Sequence, residues 1–115
     1  MTPLDWIKYV HRLPQDEIGE KLERRTRKAC CNQFNVASIC LLGLAQFSKP
    51  TTLADVKKVV DYQITPASFD RLVNSGLVDL VRGDFRTWKL NAKGLEVANE
   101  IEANLKELIK KMTKK

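Results

Sequence analysis

Between Lys49 and Lys89 lies a set of side chains able to bind bases and phosphates, whereas those able to catalyse are too sparse to form a site. His11 is the one histidine among 115 residues, and it lies between apolar neighbours with no second imidazole for a metal or a proton relay. The five glycines, Gly19, Gly43, Gly76, Gly83 and Gly94, are scattered, so no glycine-rich loop can cradle a nucleotide phosphate. Cys30 and Cys31 are adjacent rather than spaced as a redox pair, and Cys40 completes no ligand set. Neither an enzymatic activity nor a cofactor or metal is expected. Arg71, Asn74 and Ser68, by contrast, share one short segment whose other side is Phe69, Leu72 and Val73. Arginine pairs with guanine, asparagine with adenine, and serine with a base or a phosphate. Arg82, Arg86 and Lys89 follow closely, and Lys49 and Lys57 precede, as candidate phosphate contacts. The plain alternative for each is a solvated surface residue. Asp70 opposes a role beside phosphates unless Arg71, Lys57 or another cation pairs with it.

These residues must be positioned by helices and a hairpin. Thr52 with Asp55 three residues on is a helix start, and Leu53, Val56, Val59 and Val60 recur at helical spacing. Thr65-Pro66 is a second start signal, a capping oxygen before a residue with preset φ, and Asn74-Ser75-Gly76 stops that helix. Leu77 to Arg82 and Phe85 to Leu90 read as strands joined by Gly83-Asp84 in a type I′ or II′ turn. Trp88 alternates with Arg86 and Leu90 and reads as core rather than as a stacking platform.

Three helices precede this unit. Thr2-Pro3 starts one bearing Leu4, Ile7, Val10 and Leu13, which ends before Pro14. The next spans about Asp16 to Lys28, with acids first and Arg24, Arg25, Arg27 and Lys28 last, an order that suits the helix dipole. That basic cluster is either a phosphate-contacting surface or, as the plainer reading, a solvated helix end. Asn35 is expected to cap a third helix, apolar almost all round through Phe47 and so central to the domain. Ser48 to Thr51 turns into the unit described above. Beyond it, Asn91 caps a helix from Ala92 to Lys111 whose Leu95, Ala98, Ile101, Leu105, Leu108 and Met112 form a narrow apolar seam. Such a seam packs on its own domain or on a second chain. Its regularity favours pairing, with Leu95, Ile101, Leu105, Leu108 and Met112 as the contact residues.

The length suits one domain with its own core, and a net charge of +6 favours a polyanionic partner. The longest apolar run, Ile39 to Ala45, is far too short to cross a bilayer, and Thr2 to Trp6 lacks the features of a signal peptide. The three cysteines suit reduced thiols. A cytoplasmic location without membrane association is expected. A redox-sensing Cys30 or Cys31 would need a thiolate, which Arg27 and Lys28 favour and burial opposes.

Gly76-Leu77-Val78, then Arg82-Gly83-Asp84-Phe85-Arg86, then Leu90-Asn91-Ala92-Lys93-Gly94 and a long amphipathic helix resemble the second half of the MarR-type winged-helix regulators. The resemblance covers roughly Thr52 to Met112. It implies a homodimer held by the outer helices, the second helix of the motif in the major groove, and the wing arginine toward the minor groove. Asp84 and Arg86 occupy the family's wing pair, Asn91 stands where the family has threonine, and the hairpin is shorter than the family's. The expected fold is mainly α with a small β-hairpin, a winged helix-turn-helix with long N- and C-terminal helices in a single domain. Its parts are residues 1–47, 52–90 and 91–112. The expected function is that of a dimeric DNA-binding regulator acting on double-stranded DNA. The alternative is a module of the same fold that binds a protein partner without sequence-specific DNA binding.

Overall fold

The computed structural model describes residues 1–31, 33 and 35–113. In chain order its elements are α1 (Pro3–His11), α2 (Glu17–Ala29), α3 (Val36–Leu44), α4 (Leu53–Val60), α5 (Pro66–Asn74), β1 (Val78–Val81), β2 (Thr87–Leu90) and α6 (Ala92–Thr113). The fold is thus mainly helical with one two-stranded antiparallel hairpin. No helix is long and apolar enough to cross a membrane.

The expected starts are made by side chains satisfying first-turn amides, which have no partner within a helix. Thr2 Oγ1 accepts from Asp5 N at 3.1 Å, Asp16 Oδ1 from Gly19 N at 2.8 Å and Thr52 Oγ1 from Asp55 N at 3.3 Å. Asn91 Oδ1 accepts from Gly94 N at 2.8 Å while its Nδ2 donates to the Gly76 carbonyl, also at 2.8 Å. An amide carries both functions at once, so Asn91 caps α6 and ties it to the end of α5. Asn35 departs from expectation. It precedes α3, but its φ of 72° turns the backbone left-handed and its side chain makes no cap bond. The helix it precedes is also shorter than expected, ending at Leu44 rather than near Phe47.

α3 is the hub, in contact with α1, α4, α5, α6 and β2. Ser38 to Leu44 are all buried, as an all-round apolar helix requires. At Gly43 a side chain would overlap Val60 and crowd Val56, so the absent Cβ sets how closely α4 approaches. The outer helices are joined by one buried polar link. Trp6 Nε1 donates to Thr26 Oγ1 at 3.0 Å, and that hydroxyl donates to the Leu22 carbonyl at 2.8 Å, so both buried polar groups are satisfied.

The seam of α6 requires a correction. Ile101 and Leu105, expected at a chain-pairing interface, are 0% exposed within this one chain, and Ala98 and Ile109 are buried beside them. These four residues recur at steps of three and four, and they close on α1, α2 and α3. Leu95 and Met112 are left outward, 46% and 40% exposed, with Leu108 half-buried. Met112 receives a contact from Arg25, whose guanidinium lies 3.6 Å from the sulfur. The centre of the seam is therefore core, because an apolar stripe buries against whatever apolar surface the chain itself provides.

Candidate nucleic-acid interface

α5 is the segment that carries Ser68, Arg71 and Asn74. Phe69 and Leu72 are buried on its inner side, and the Phe69 ring stacks on Trp88 with centroids 4.8 Å apart and planes 21° from parallel. Offset aromatic packing of this kind adds to the area buried, and it fixes how α5 is rotated against the hairpin. With that rotation set, the 3.6-residue period leaves Ala67, Arg71 and Asn74 outermost. Ser68 is half-buried, its Oγ 3.4 Å from Thr65 Oγ1, and together with Arg71 it faces a recess against Val36 and Ala37 at the start of α3. Thr65 therefore starts the helix by position and by the preset φ of Pro66, not by a side-chain bond to the backbone. Gly76, at φ 81°, ends it in the left-handed conformation that glycine adopts without strain.

The hairpin pairs Val78 with Leu90, Asp79 with Lys89, Leu80 with Trp88 and Val81 with Thr87. Its loop is consequently the five residues from Arg82 to Arg86, not the two-residue Gly83-Asp84 turn that the sequence suggests. Only Gly76 among the described glycines has positive φ, so neither a type I′ nor a type II′ turn forms at Gly83. Thr87 Oγ1 donates to the Val81 carbonyl at 3.1 Å and closes the base of the loop. Just before α4, Thr51 exchanges two 2.9 Å backbone hydrogen bonds with Trp88 of β2, giving the hairpin a third, single-residue edge. That pairing has no pattern of its own in the sequence, because one bridge residue has no periodicity.

One ion pair joins α5 to the loop. Arg86 Nη2 donates to Asp70 at 3.1 and 3.4 Å, and the guanidinium lies 5.3 Å from the centre of the Trp88 ring. Both partners are about half exposed, so the pair stabilises the fold by at most about 1 kcal/mol. Its effect is on placement: the loop is held against the edge of α5 that leads to Asn74, and the charge of Asp70 is neutralised there. The cation that pairs with Asp70 is thus the one from the hairpin, rather than its neighbour Arg71 or Lys57.

The remaining candidate cations are spread more widely. Arg82 and Lys89 are exposed on the hairpin, Lys89 opposite Asp79. Lys49 is exposed in the turn, its carbonyl accepting from Thr51 Oγ1 at 2.9 Å. Lys57 is exposed on α4 and shares a cleft with His11, Arg12 and Tyr62; Asn35 borders both this cleft and the recess beside Arg71. The basic cluster at the end of α2 does not join this face. α2 packs on α1 and α6, Arg27 pairs with Glu23 at 2.9 Å, and Arg25 and Lys28 border a groove with Lys111 of α6.

The cysteines give the opposite of thiolate character. Burial pushes the Cys30 and Cys31 thiols above their ordinary value, and pushes Cys40 up to about 12. Near neutral pH all three are thiols, which a redox-sensing role does not favour.

Compared with known proteins, the chain matches no family model, no curated protein and no solved structure.

Proposed function

We propose that this chain is a winged helix-turn-helix protein that binds double-stranded DNA and acts as a transcriptional regulator. In this reading α3 is the supporting helix, α4 and α5 are the helix-turn-helix with α5 in the major groove, and the β1–β2 hairpin is the wing. The observation that carries it is the shared face. Arg71 and Asn74 stand outward on α5, and the ion pair between Arg86 and Asp70 keeps the cationic loop beside them. Arg71 and Asn74 supply base-edge donors and acceptors, Ser68 a hydroxyl, and Lys49, Lys57, Arg82 and Lys89 phosphate contacts. A homodimer held by α6 would have to use Leu95, Leu108 and Met112, the seam residues that the chain leaves accessible.

One observation favours a second reading, a protein-binding module of the same fold. Arg86 already has a carboxylate partner, so the hairpin cation nearest α5 is neutralised before any phosphate arrives.

Three substitutions test the DNA reading by equilibrium binding to duplexes of different sequence. Arg71→Ala should lower affinity for the best sequence by about 1 to 3 kcal/mol and flatten the preference between sequences. Arg86→Ala should weaken all duplexes alike and lower the salt slope by about one. Lys106→Ala, on α6 and paired with Glu102 at 3.1 Å, is the control and should do neither. If both arginine variants bind duplex as the parent does, the protein-binding reading takes its place.

A further inference from the structure

Phe85 is 76% exposed, more than any other large apolar side chain among the described residues. Single exposed apolar residues are ordinary on protein surfaces, and Ile18 on α2 is one. The surroundings of Phe85 are different. It sits in the loop that projects past the last strand pair, with Arg82 on one side in sequence and Arg86 on the other. Val81, at the base of the same loop, is also exposed. The next residue in the chain, Arg86, is folded back onto Asp70 and the Trp88 ring, so the loop is held to the side of the molecule that presents Arg71 and Asn74. An exposed aromatic ring on a loop that also carries arginines matches a duplex edge, where an apolar stack of bases lies beside rows of phosphates.

We propose that Phe85 is a wedge: the hairpin delivers its ring into the minor groove between two stacked base pairs, partly unstacking them and bending the duplex. The proposal rests on the DNA reading above and deepens it by naming the feature recognised. Pyrimidine–purine steps such as TA unstack most easily, so duplexes containing them are the favoured class, and A-tracts, which resist kinking, are disfavoured. Asp84 adjoins Phe85, and its carboxylate opposes approach to phosphates. Its removal should strengthen binding without changing the bend.

The test uses the full chain and short duplexes carrying 2-aminopurine within TA steps and a fluorescent donor and acceptor at the two ends. The parent should raise 2-aminopurine emission and shorten the end-to-end distance. Phe85→Ala removes a side chain with little burial and so leaves the fold intact. It should lose both signals and bind TA-containing duplexes about tenfold more weakly, with a smaller loss on A-tracts. Phe85→Leu, still an apolar wedge, should keep most of both signals. A Phe85→Ala variant with the parent's emission and bend overturns the wedge. So does a parent that binds duplex and leaves it stacked and straight, but that result leaves the DNA reading standing. A parent that binds no duplex at low salt brings down both.

Discussion

α5 and α6 are both amphipathic helices, and they put their two sides to opposite uses. In α6 the apolar seam is the informative side: Ala98, Ile101, Leu105 and Ile109 are buried within the chain, and what remains outward is mostly charged. In α5 the apolar side, Phe69 and Leu72, orients the helix, and the outward residues Arg71 and Asn74 are the proposed base contacts. Periodicity is a guide to one side of a helix and not to its partner. It identifies the side that will be buried, but not which surface buries it, because the hydrophobic effect has no direction and accepts any apolar partner. The polar side needs no such partner to be named, so α5 can be read further toward function than α6.

The comparison breaks first at the core. Leu105→Lys should lower stability by at least about 3 kcal/mol, since it removes a buried side chain and strands a charge, and a domain has only about 5 to 15 in total. Leu95→Lys, one seam position away from burial, should change it by no more than about 0.5 kcal/mol. Urea unfolding of both variants measures this. Should Leu105→Lys remain as stable as the parent and change only its mass in solution, the seam faces a second chain after all.

A smaller effect is expected where α5 meets the hairpin. Asp70→Asn removes the carboxylate that holds Arg86, and in DNA binding it also removes a repulsion with phosphates. Affinity for any duplex should rise about fivefold, and the salt dependence should steepen by about one. A fall in affinity would mean that Asp70 serves to position Arg86 rather than to compete for it.

Near neutral pH the smallest effects concern the thiols, whose influence on stability is confined to alkaline conditions. Cys30 and Cys40 are buried, so a thiol reagent at neutral pH should reach only Cys31 in the native protein, and slowly, since its thiolate too is disfavoured. A thiol whose folded pKa is raised contributes stability below its ordinary value and loses it as pH climbs toward the folded value. For Cys40 the window runs from 9.0 to about 12. Urea midpoints should therefore fall across that alkaline range, and less steeply in Cys40→Ala. Equal steepness in the two proteins would contradict a strongly raised Cys40.

Much of the scaffold was legible in the sequence for local reasons. Thr2, Thr52 and Asn91 cap their helices through their own side chains, and Gly76 ends α5 by its own conformational freedom. Where the outcome depended on distant partners, it was not legible. Apolar and β-forming residues run on through Arg82 and Phe85, but the ladder stops at Val81 and Thr87, so the loop is longer than the pattern suggests. Asn35 has the right residue type for a cap, yet its backbone conformation aims the side chain elsewhere. Of the interface, the outward set on α5 follows from its period alone. The pairing of Arg86 with Asp70 spans sixteen positions and depends on how the hairpin docks, which no local pattern records.

The α5 and hairpin face is proposed to bind duplex DNA. The most direct test of that binding is the equilibrium affinity of the unmodified protein for duplex across a salt series, starting at low ionic strength. With Arg86 neutralised by Asp70, if the four cations Lys49, Lys57, Arg82 and Lys89 each neutralise a phosphate, log affinity should fall linearly with log salt with a slope of about −3 to −4. Undetectable binding at low salt, or an affinity that does not change with salt, would contradict it.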